Sequence, residues 1–126
     1  MSSTRVPIKV LIADDHEVVR NIISSHLSSD PDIEIVGVTD GFRKAMEVYS
    51  RSRPHVVLMD LHMSDEKRVT PELVKSWFSQ SQLLAMSIWS DHEAKVLADA
   101  FGAHMLLDKS SLATELIPAI KRCAKL

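Results

Sequence analysis

The chain has 126 residues, of which 45% are hydrophobic and 25% charged, so its length suits one globular domain and excludes a two-domain enzyme. Its 3 Gly, 5 Pro and single Cys exclude the collagen-like, disordered and disulfide-stabilised classes. The formal charge of -2 lacks the positive excess typical of direct nucleic-acid binding. Because the sequence has no apolar leader and no spanning run, we expect a cytoplasmic protein without a membrane partner.

Short apolar runs alternate with amphipathic segments along the chain. The apolar runs predict five buried strands, at residues 8–13, 33–38, 55–59, 83–88 and 104–107. Apolar residues at helical spacing predict five helices, at residues 15–30, 41–51, 70–78, 91–101 and from about 111 to 124. This alternation predicts one doubly wound α/β domain over 1–126, structured over about 8–124, with a parallel sheet and helices on both faces.

Local signals mark several features of these helices. Thr70 is expected to cap the third helix, with Pro71 at its first position. Gly102 is expected to end the fourth helix, and Pro118 to remove a hydrogen bond from the last one and bend it. The first helix has an apolar stripe made of two adjacent rows: Val18 and Ile22, then Val19, Ile23 and Leu27.

Polar residues stand at the carboxyl ends of four of the predicted strands, the edge that carries the site in doubly wound folds. Asp14 and Asp15 follow the first strand, Asp60 the third, Ser87 ends the fourth and Lys109 follows the fifth. Three carboxylates in one pocket repel each other unless a cation compensates them. Mg²⁺ suits such an open rim, because it takes one or two carboxylates together with waters and phosphate oxygens. We therefore predict a magnesium site that can receive a phosphoryl group.

Three stretches resemble the receiver domain of two-component response regulators: Val10 to His16, Pro54 to Met63 and Leu107 to Ser110. Two others, Asp15 to Arg20 and Pro31 to Gly37, are similar to receivers that usually precede a LuxR-type helix-turn-helix output domain. The resemblance extends over nearly the whole chain. It implies a flavodoxin-like (βα)5 domain with strand order 2-1-3-4-5.

The resemblance implies a role for each acid of the rim. Asp60 is the phosphoacceptor, which takes its phosphoryl group from a sensor histidine kinase or a histidine phosphotransfer protein. Asp15 and Asp60 bind Mg²⁺ with the backbone carbonyl of His62, and Asp14 acts mainly through a metal-bound water. The chain is then a receiver that phosphorylates and in some cases dephosphorylates itself, and we expect no enzymatic turnover of a small molecule.

The resemblance also implies a conformational switch. Lys109 pairs with a phosphoryl oxygen, and the Ser87 hydroxyl donates a hydrogen bond that moves the loop after the fourth strand. The family commonly has an aromatic residue three positions before the lysine, where this chain has Leu106. The loop from Ser64 to Arg68 also departs from the family pattern, and we interpret its charges as a solvated run.

Output and partners follow from the same resemblance. Transcription would be controlled through a DNA-binding effector domain absent from this chain, and a homodimer is compatible with the family. The main alternative is a degenerate receiver that acts as a phosphorylation-independent protein-interaction module, motivated by Leu106 and the unusual loop. A phosphatase on a related layout would need an acid two residues after the nucleophile, where this chain has His62.

Three residue types are expected to be structural or peripheral. The six histidines lack the compact spacing of a transition-metal site, although His16, His62 and His92 are expected near the rim. We therefore prefer Mg²⁺ on oxygen ligands. Trp89 is interpreted as a rim or interface aromatic, and Cys123 as a packing residue.

Overall fold

The computed structural model describes residues 6–65, 68–88 and 91–126. The elements are, in chain order, β1 Ile8–Ala13, α1 Glu17–Ser28, β2 Ile33–Thr39, α2 Phe42–Ser52, β3 Val56–Asp60, α3 Pro71–Trp77, β4 Gln82–Ser87, α4 His92–Ala100, β5 Met105–Asp108, a 3-10 turn Lys109–Ser111 and α5 Leu112–Ala124. The predicted alternation is confirmed, and the predicted boundaries are correct to within about two residues.

The strands form one parallel sheet in the order β2-β1-β3-β4-β5. The implied order is therefore confirmed. The chain places β2 on one side of β1 and then crosses to β3 on the other side, so the switch point of the sheet lies at the carboxyl ends of β1 and β3. In register, Ala13 lies opposite Met59, and Ser87 opposite Asp108. The polar residues that follow these strands therefore share one edge.

Alternate strand residues face two separate cores. In β1, Val10 and Ile12 pack into one core and Leu11 and Ala13 into the other, all fully buried. Helices α1 and α5 cover the first face, and α2, α3 and α4 cover the second. The buried helix residues include Ile23, Leu27, Leu116 and Ile120 on the first face, and Phe42, Ala45, Val74, Ala94 and Ala98 on the second. Helices on both faces are thus confirmed.

The apolar stripe predicted on α1 is buried along one row only. Ile23 and Leu27 are fully buried, whereas Val18 and Ile22 are 69% and 55% exposed. Successive helical residues are about 100° apart around the axis, so a helix on a sheet buries one row and leaves its neighbour at the margin. The outer row of α1 is therefore an exposed apolar strip.

Helix ends largely follow the predicted signals. The Thr70 side chain accepts a hydrogen bond from the Leu73 amide at 3.1 Å, with Pro71 at the first position of α3. Gly102 follows α4 with φ of 79°, a left-handed conformation that suits glycine. Pro118 lies inside α5, which continues to Ala124. That helix has 13 residues, and no helix of the described stretches is long and apolar enough to cross a bilayer.

Candidate functional site

Two buried carboxylates and one ammonium meet at the carboxyl edge of the sheet. Asp14 follows β1 and is fully buried, and Asp60 ends β3 with 3% exposure. Lys109, directly after β5, approaches both: its Nζ lies 2.6 Å from Asp14 Oδ2 and 3.3 Å from Asp60 Oδ2. The structure therefore brings together three of the residues that the sequence analysis selected. These residues are far apart in sequence, but they lie at the same edge because β1, β3 and β5 are parallel.

The turn between β1 and α1 fixes Asp14. The His16 amide donates to Asp14 Oδ1 at 2.8 Å, a short-range contact typical of an Asp before a helix. From the first turn of α1, Arg20 Nη1 donates to the Asp14 backbone carbonyl at 2.8 Å. Sequence reasoning missed Arg20, because a contact across six residues of a strand-to-helix junction has no periodic signature.

The loop after β3 is tied to the same pocket from two sides. The His62 amide donates to Asp60 Oδ1 at 3.2 Å, which fixes the orientation of that carboxylate. Asp15, at 22% side-chain exposure, accepts a hydrogen bond from the Ser64 amide on Oδ2 at 2.9 Å. Asp15 thus holds the loop with one oxygen and directs the other toward the pocket.

The charged loop contains a helix cap that the sequence analysis did not find. Asp65 accepts hydrogen bonds from the Phe42 and Arg43 amides at 3.0 and 3.2 Å, so its carboxylate caps the start of α2. The favourable interaction of an anion with a helix N-terminus stabilises this contact. The interpretation as a solvated charge run is therefore wrong for Asp65, whereas Arg68 is exposed as expected. Residues 66 and 67 of that loop lie outside the described residues.

His16 lies within the acidic pocket itself. Its Nδ1 is 3.1 Å from Asp14 Oδ1, 3.2 Å from Asp15 Oδ1 and 3.9 Å from Asp60 Oδ2, while the ring is 56% exposed. From the sequence, His16 was expected only near the rim. Spacing rules for metal ligands could not identify it, since its acidic neighbours come from two different strand ends.

The surroundings of Asp60 oppose its ionisation. Burial raises the pKa of the Asp60 carboxyl above the ordinary 3.8, and the charge of Asp14 raises it further. The Lys109 ammonium and the His62 amide lower the pKa by favouring the charged form, but they do not outweigh burial. Ionised Asp60 is therefore energetically unfavourable in this pocket, and an additional cation would stabilise it.

The donor set of the pocket fits a divalent cation. Asp14 Oδ2, Asp15 Oδ1 and Asp60 Oδ2 are buried oxygens, and the Lys109 ammonium lies beside the first and the third. One ligand atom from each of Asp14, Asp15, His16 and Asp60 lies within 4.8 Å of the others. Carboxylate oxygens are the ligands that Mg²⁺ prefers. The described residues thus provide oxygens that an ion can use.

Two further predicted positions lie on the neighbouring strands. Ser87 is the last residue of β4 and is 2% exposed. Leu106, in β5, lies opposite Ala85 and packs partly buried against the core beneath α2, α3 and α4. An apolar packing residue therefore stands where the resemblance would have an aromatic one. Trp89 lies outside the described residues.

Comparisons with known proteins identify the family. A model of the response regulator receiver domain matches residues 10–121. The response regulator VraR of Staphylococcus saprophyticus is 34% identical over 119 residues, which cover 93% of this chain and 56% of that protein. VraR of Staphylococcus aureus is 34% identical over 120 residues, 94% of this chain and 57% of that protein. The chain spans about half the length of these curated relatives.

A solved structure supports the same assignment. The signal receiver domain of the putative response regulator NarL from Mycobacterium tuberculosis has a TM-score of 0.84 at 26% identity, with 94% of this chain and 97% of that chain covered. A DNA-binding response regulator of the LuxR family from Staphylococcus aureus has the same fold, with a TM-score of 0.80 at 18% identity and coverage of 93% and 98%. The chain therefore belongs to the receiver domain family of two-component response regulators.

Proposed function

We propose that this chain is a phosphoacceptor module in which Asp60 takes a phosphoryl group from a phosphohistidine. The donor is a sensor histidine kinase or a histidine phosphotransfer protein. The observation that carries the proposal is a buried carboxylate, Asp60, with the Lys109 ammonium 3.3 Å from its Oδ2 and the carboxylates of Asp14 and Asp15 beside it. A phosphoryl group that enters this pocket meets a positive charge already in position to stabilise its anionic oxygens, which favours attack on its phosphorus.

The transfer step needs a nucleophile in a fixed orientation. The His62 amide holds Asp60 Oδ1, and Oδ2 faces the pocket. A carboxylate oxygen of Asp60 forms a bond to phosphorus while the bond from phosphorus to the donor imidazole nitrogen breaks. That nitrogen keeps the electron pair, and Asp60 becomes an acyl phosphate.

Lys109 then changes partners. Its Nζ already lies 2.6 Å from Asp14 Oδ2 and 3.3 Å from Asp60 Oδ2, so a phosphoryl group on Asp60 brings new anionic oxygens within its reach. The ammonium stabilises charge that develops on those oxygens. Because Lys109 is 8% exposed, water weakens this interaction little.

The acids of the pocket would hold Mg²⁺. Asp15 and Asp60 would supply carboxylate oxygens and His62 its backbone carbonyl, and Asp14 would contribute through a water. When bound, Mg²⁺ neutralises charge on the incoming phosphoryl group. The closeness of three carboxylates, two of which share the single Lys109 ammonium, supports this assignment.

A switch and an output follow within the same proposal. The Ser87 hydroxyl donates a hydrogen bond to the phosphoryl group, and the loop after β4 moves with it. With Leu106 in β5, this movement proceeds without an aromatic side chain. The output is transcription, through an effector domain outside residues 1–126 that binds DNA in the cytoplasm. A similarity in fold to LuxR-family regulators supports this output.

One observation favours a second function: Leu106 occupies the position in β5 where the family commonly has an aromatic residue. In that case the chain is an interaction module whose partner binds without phosphorylation. A partner that binds wild type and Asp60→Asn equally well would support this alternative.

The first experiment is intact mass spectrometry after incubation with acetyl phosphate and Mg²⁺. We expect one added phosphoryl group on the wild type and on Asp99→Asn, a control at an exposed aspartate of α4. We expect none on Asp60→Asn and none with EDTA. Phosphorylation of Asp60→Asn would refute the assignment of the acceptor. Absence of modification in wild type, with acetyl phosphate and with a panel of histidine kinases, would refute the phosphoacceptor function.

A further inference from the structure

Two amides of the loop after β3 hold acids of the pocket in place. The His62 amide donates to Asp60 Oδ1 at 3.2 Å, and the Ser64 amide donates to Asp15 Oδ2 at 2.9 Å. Between them the Met63 side chain is buried in the core, with 1% exposure. The position of this short stretch of backbone therefore determines how both carboxylates are oriented.

The next residue, Asp65, ties the same backbone to another element. Its Oδ1 accepts a hydrogen bond from the Phe42 amide at 3.0 Å, and its Oδ2 accepts one from the Arg43 amide at 3.2 Å. Both amides belong to the first turn of α2, where a carboxylate makes charge-assisted hydrogen bonds. Because Asp65 directly follows Ser64 in the chain, a displacement of one moves the other. Helix α2 thus fixes the end of the loop.

The start of α2 leaves room for this carboxylate. Helices are commonly capped by the side chain of the residue that precedes them, but that residue is Gly41, which has no side chain to offer. A Cβ at Gly41 would lie 3.1 Å from Asp65 Oδ2 and 3.3 Å from Asp65 Cγ. The Gly41 backbone is extended, with φ of -166°, a conformation open to any residue. What glycine provides here is therefore space for the Asp65 side chain.

We propose that Asp65 is a positioning residue for phosphoryl transfer to Asp60. It acts through Ser64: by fixing the end of the loop, it keeps the Ser64 amide on Asp15 and the loop backbone in place beside Asp60. The inference rests on the proposed function of Asp60. A displacement of about 1 Å at a reacting centre can slow a reaction about 100-fold. Loss of the Asp65 carboxylate should therefore slow the transfer step while the acceptor itself remains.

The first test measures the rate of phosphorylation. Wild type and variants are incubated with acetyl phosphate and Mg²⁺, and the initial rate is followed by intact mass spectrometry. We expect Asp65→Ala to react about tenfold more slowly than wild type. Thr70→Ala, which removes the cap of α3, is the control for loss of a helix cap and should react as fast as wild type. Equal rates for Asp65→Ala and Thr70→Ala would overturn the proposal.

Two further variants separate positioning from simple capping. In Asp65→Ala/Gly41→Ser a serine hydroxyl restores a cap directly before α2, but the loop stays untied. We expect this double variant to unfold in urea at the wild-type midpoint and still to be phosphorylated slowly. Asp65→Asn keeps an oxygen that accepts a hydrogen bond from α2 and should recover most of the rate. If the double variant recovers both stability and rate, Asp65 is only a helix cap and the proposal is wrong.

A measurement without phosphorylation reports on the loop itself. In EDTA, the Ser64 amide should exchange its hydrogen with solvent faster in Asp65→Ala and in the double variant than in wild type and Thr70→Ala. The reason is that its hydrogen bond to Asp15 opens more often once the loop is released. Equal exchange at Ser64 in wild type and in the double variant, measured by NMR, would overturn the inference.

This inference and the proposed function fail in different ways. If wild type is phosphorylated and the double variant reacts equally fast, only the positioning role of Asp65 fails. If no donor phosphorylates wild type, the phosphoacceptor function fails and the role of Asp65 in transfer fails with it, whatever the exchange rate at Ser64.

Discussion

The ammonium of Lys109 compensates two buried carboxylates, so its removal should strongly destabilise the fold. Lys109→Met keeps the apolar stem and removes the charge. At an effective dielectric constant of about 20, contacts of 2.6 and 3.3 Å to Asp14 and Asp60 correspond to gross attractions of about 6 and about 5 kcal/mol. Desolvation of an ammonium that is 8% exposed offsets much of this attraction. We expect a loss of about 3–5 kcal/mol at pH 7, the range for a buried ion pair that loses one partner.

Asp60→Asn should have the opposite effect. Burial and Asp14 raise the pKa of Asp60 in the folded protein above 3.8. The unfolded chain keeps the ordinary pKa of 3.8. At pH values between 3.8 and the raised pKa of the folded protein, the folded state binds more protons than the unfolded state, so stability falls as the pH rises through this window. The cost of ionised Asp60 is fully present above the window. Asp60→Asn should therefore be more stable than wild type at pH 7, and its advantage should shrink as the pH approaches 3.8.

The assay is urea unfolding followed by circular dichroism, in EDTA, at pH 7 and pH 5. The double variant Lys109→Met/Asp60→Asn should lose less stability than Lys109→Met alone, because one uncompensated carboxylate has gone. Lys95→Met, at an exposed position of α4, is the control for loss of a surface charge. Equal midpoints for Lys109→Met and Lys95→Met, or a less stable Asp60→Asn at pH 7, would refute this account of the pocket.

Three further predictions concern the scaffold. Asp65→Ala removes the acceptor of the Phe42 amide at 3.0 Å and should cost about 1–2 kcal/mol in urea unfolding; an unchanged midpoint would exclude the cap. Gly37→Ala would place a Cβ 2.5 Å from Val48 Cγ1 and should cost about 1–3 kcal/mol, measured as a lower thermal midpoint; wild-type stability would show that the neighbours yield freely. Burial raises the pKa of the Cys123 thiol to about 11, so a thiol reagent at pH 8 should modify it in urea but not in the folded protein. Rapid labelling under native conditions would contradict this burial.

Periodicity was sufficient for the elements and for most of their termini. Apolar runs alternate with segments whose apolar residues recur at helical spacing. Both patterns reflect burial, and they can be seen within each segment without knowing its neighbours. Thr70 and Gly102 could be recognised for the same reason, since a cap or a left-handed turn depends on local backbone geometry. The strand order came from the resemblance, because periodicity alone does not state which strands are neighbours.

The residues of the site that could be predicted from the sequence are those whose position depends only on the topology of the sheet. The carboxyl ends of parallel strands meet at one edge. A polar residue at the carboxyl end of each of β1, β3 and β5 was therefore enough to select Asp14, Asp60 and Lys109. The sequence by itself therefore determined the elements, the layered fold class and the acidic edge.

Tertiary structure alone decided the finer contacts. The outer row of α1, with Ile22 at 55% exposure, shows that an apolar pattern cannot tell which row faces the sheet. Asp65 reaches α2 across 23 residues of chain, and His16 meets Asp60 across 44. Such contacts depend on the crossing of loops and on side-chain direction. No local propensity or spacing records these quantities, because they arise only when the packed layers fix the distances between separate strand ends.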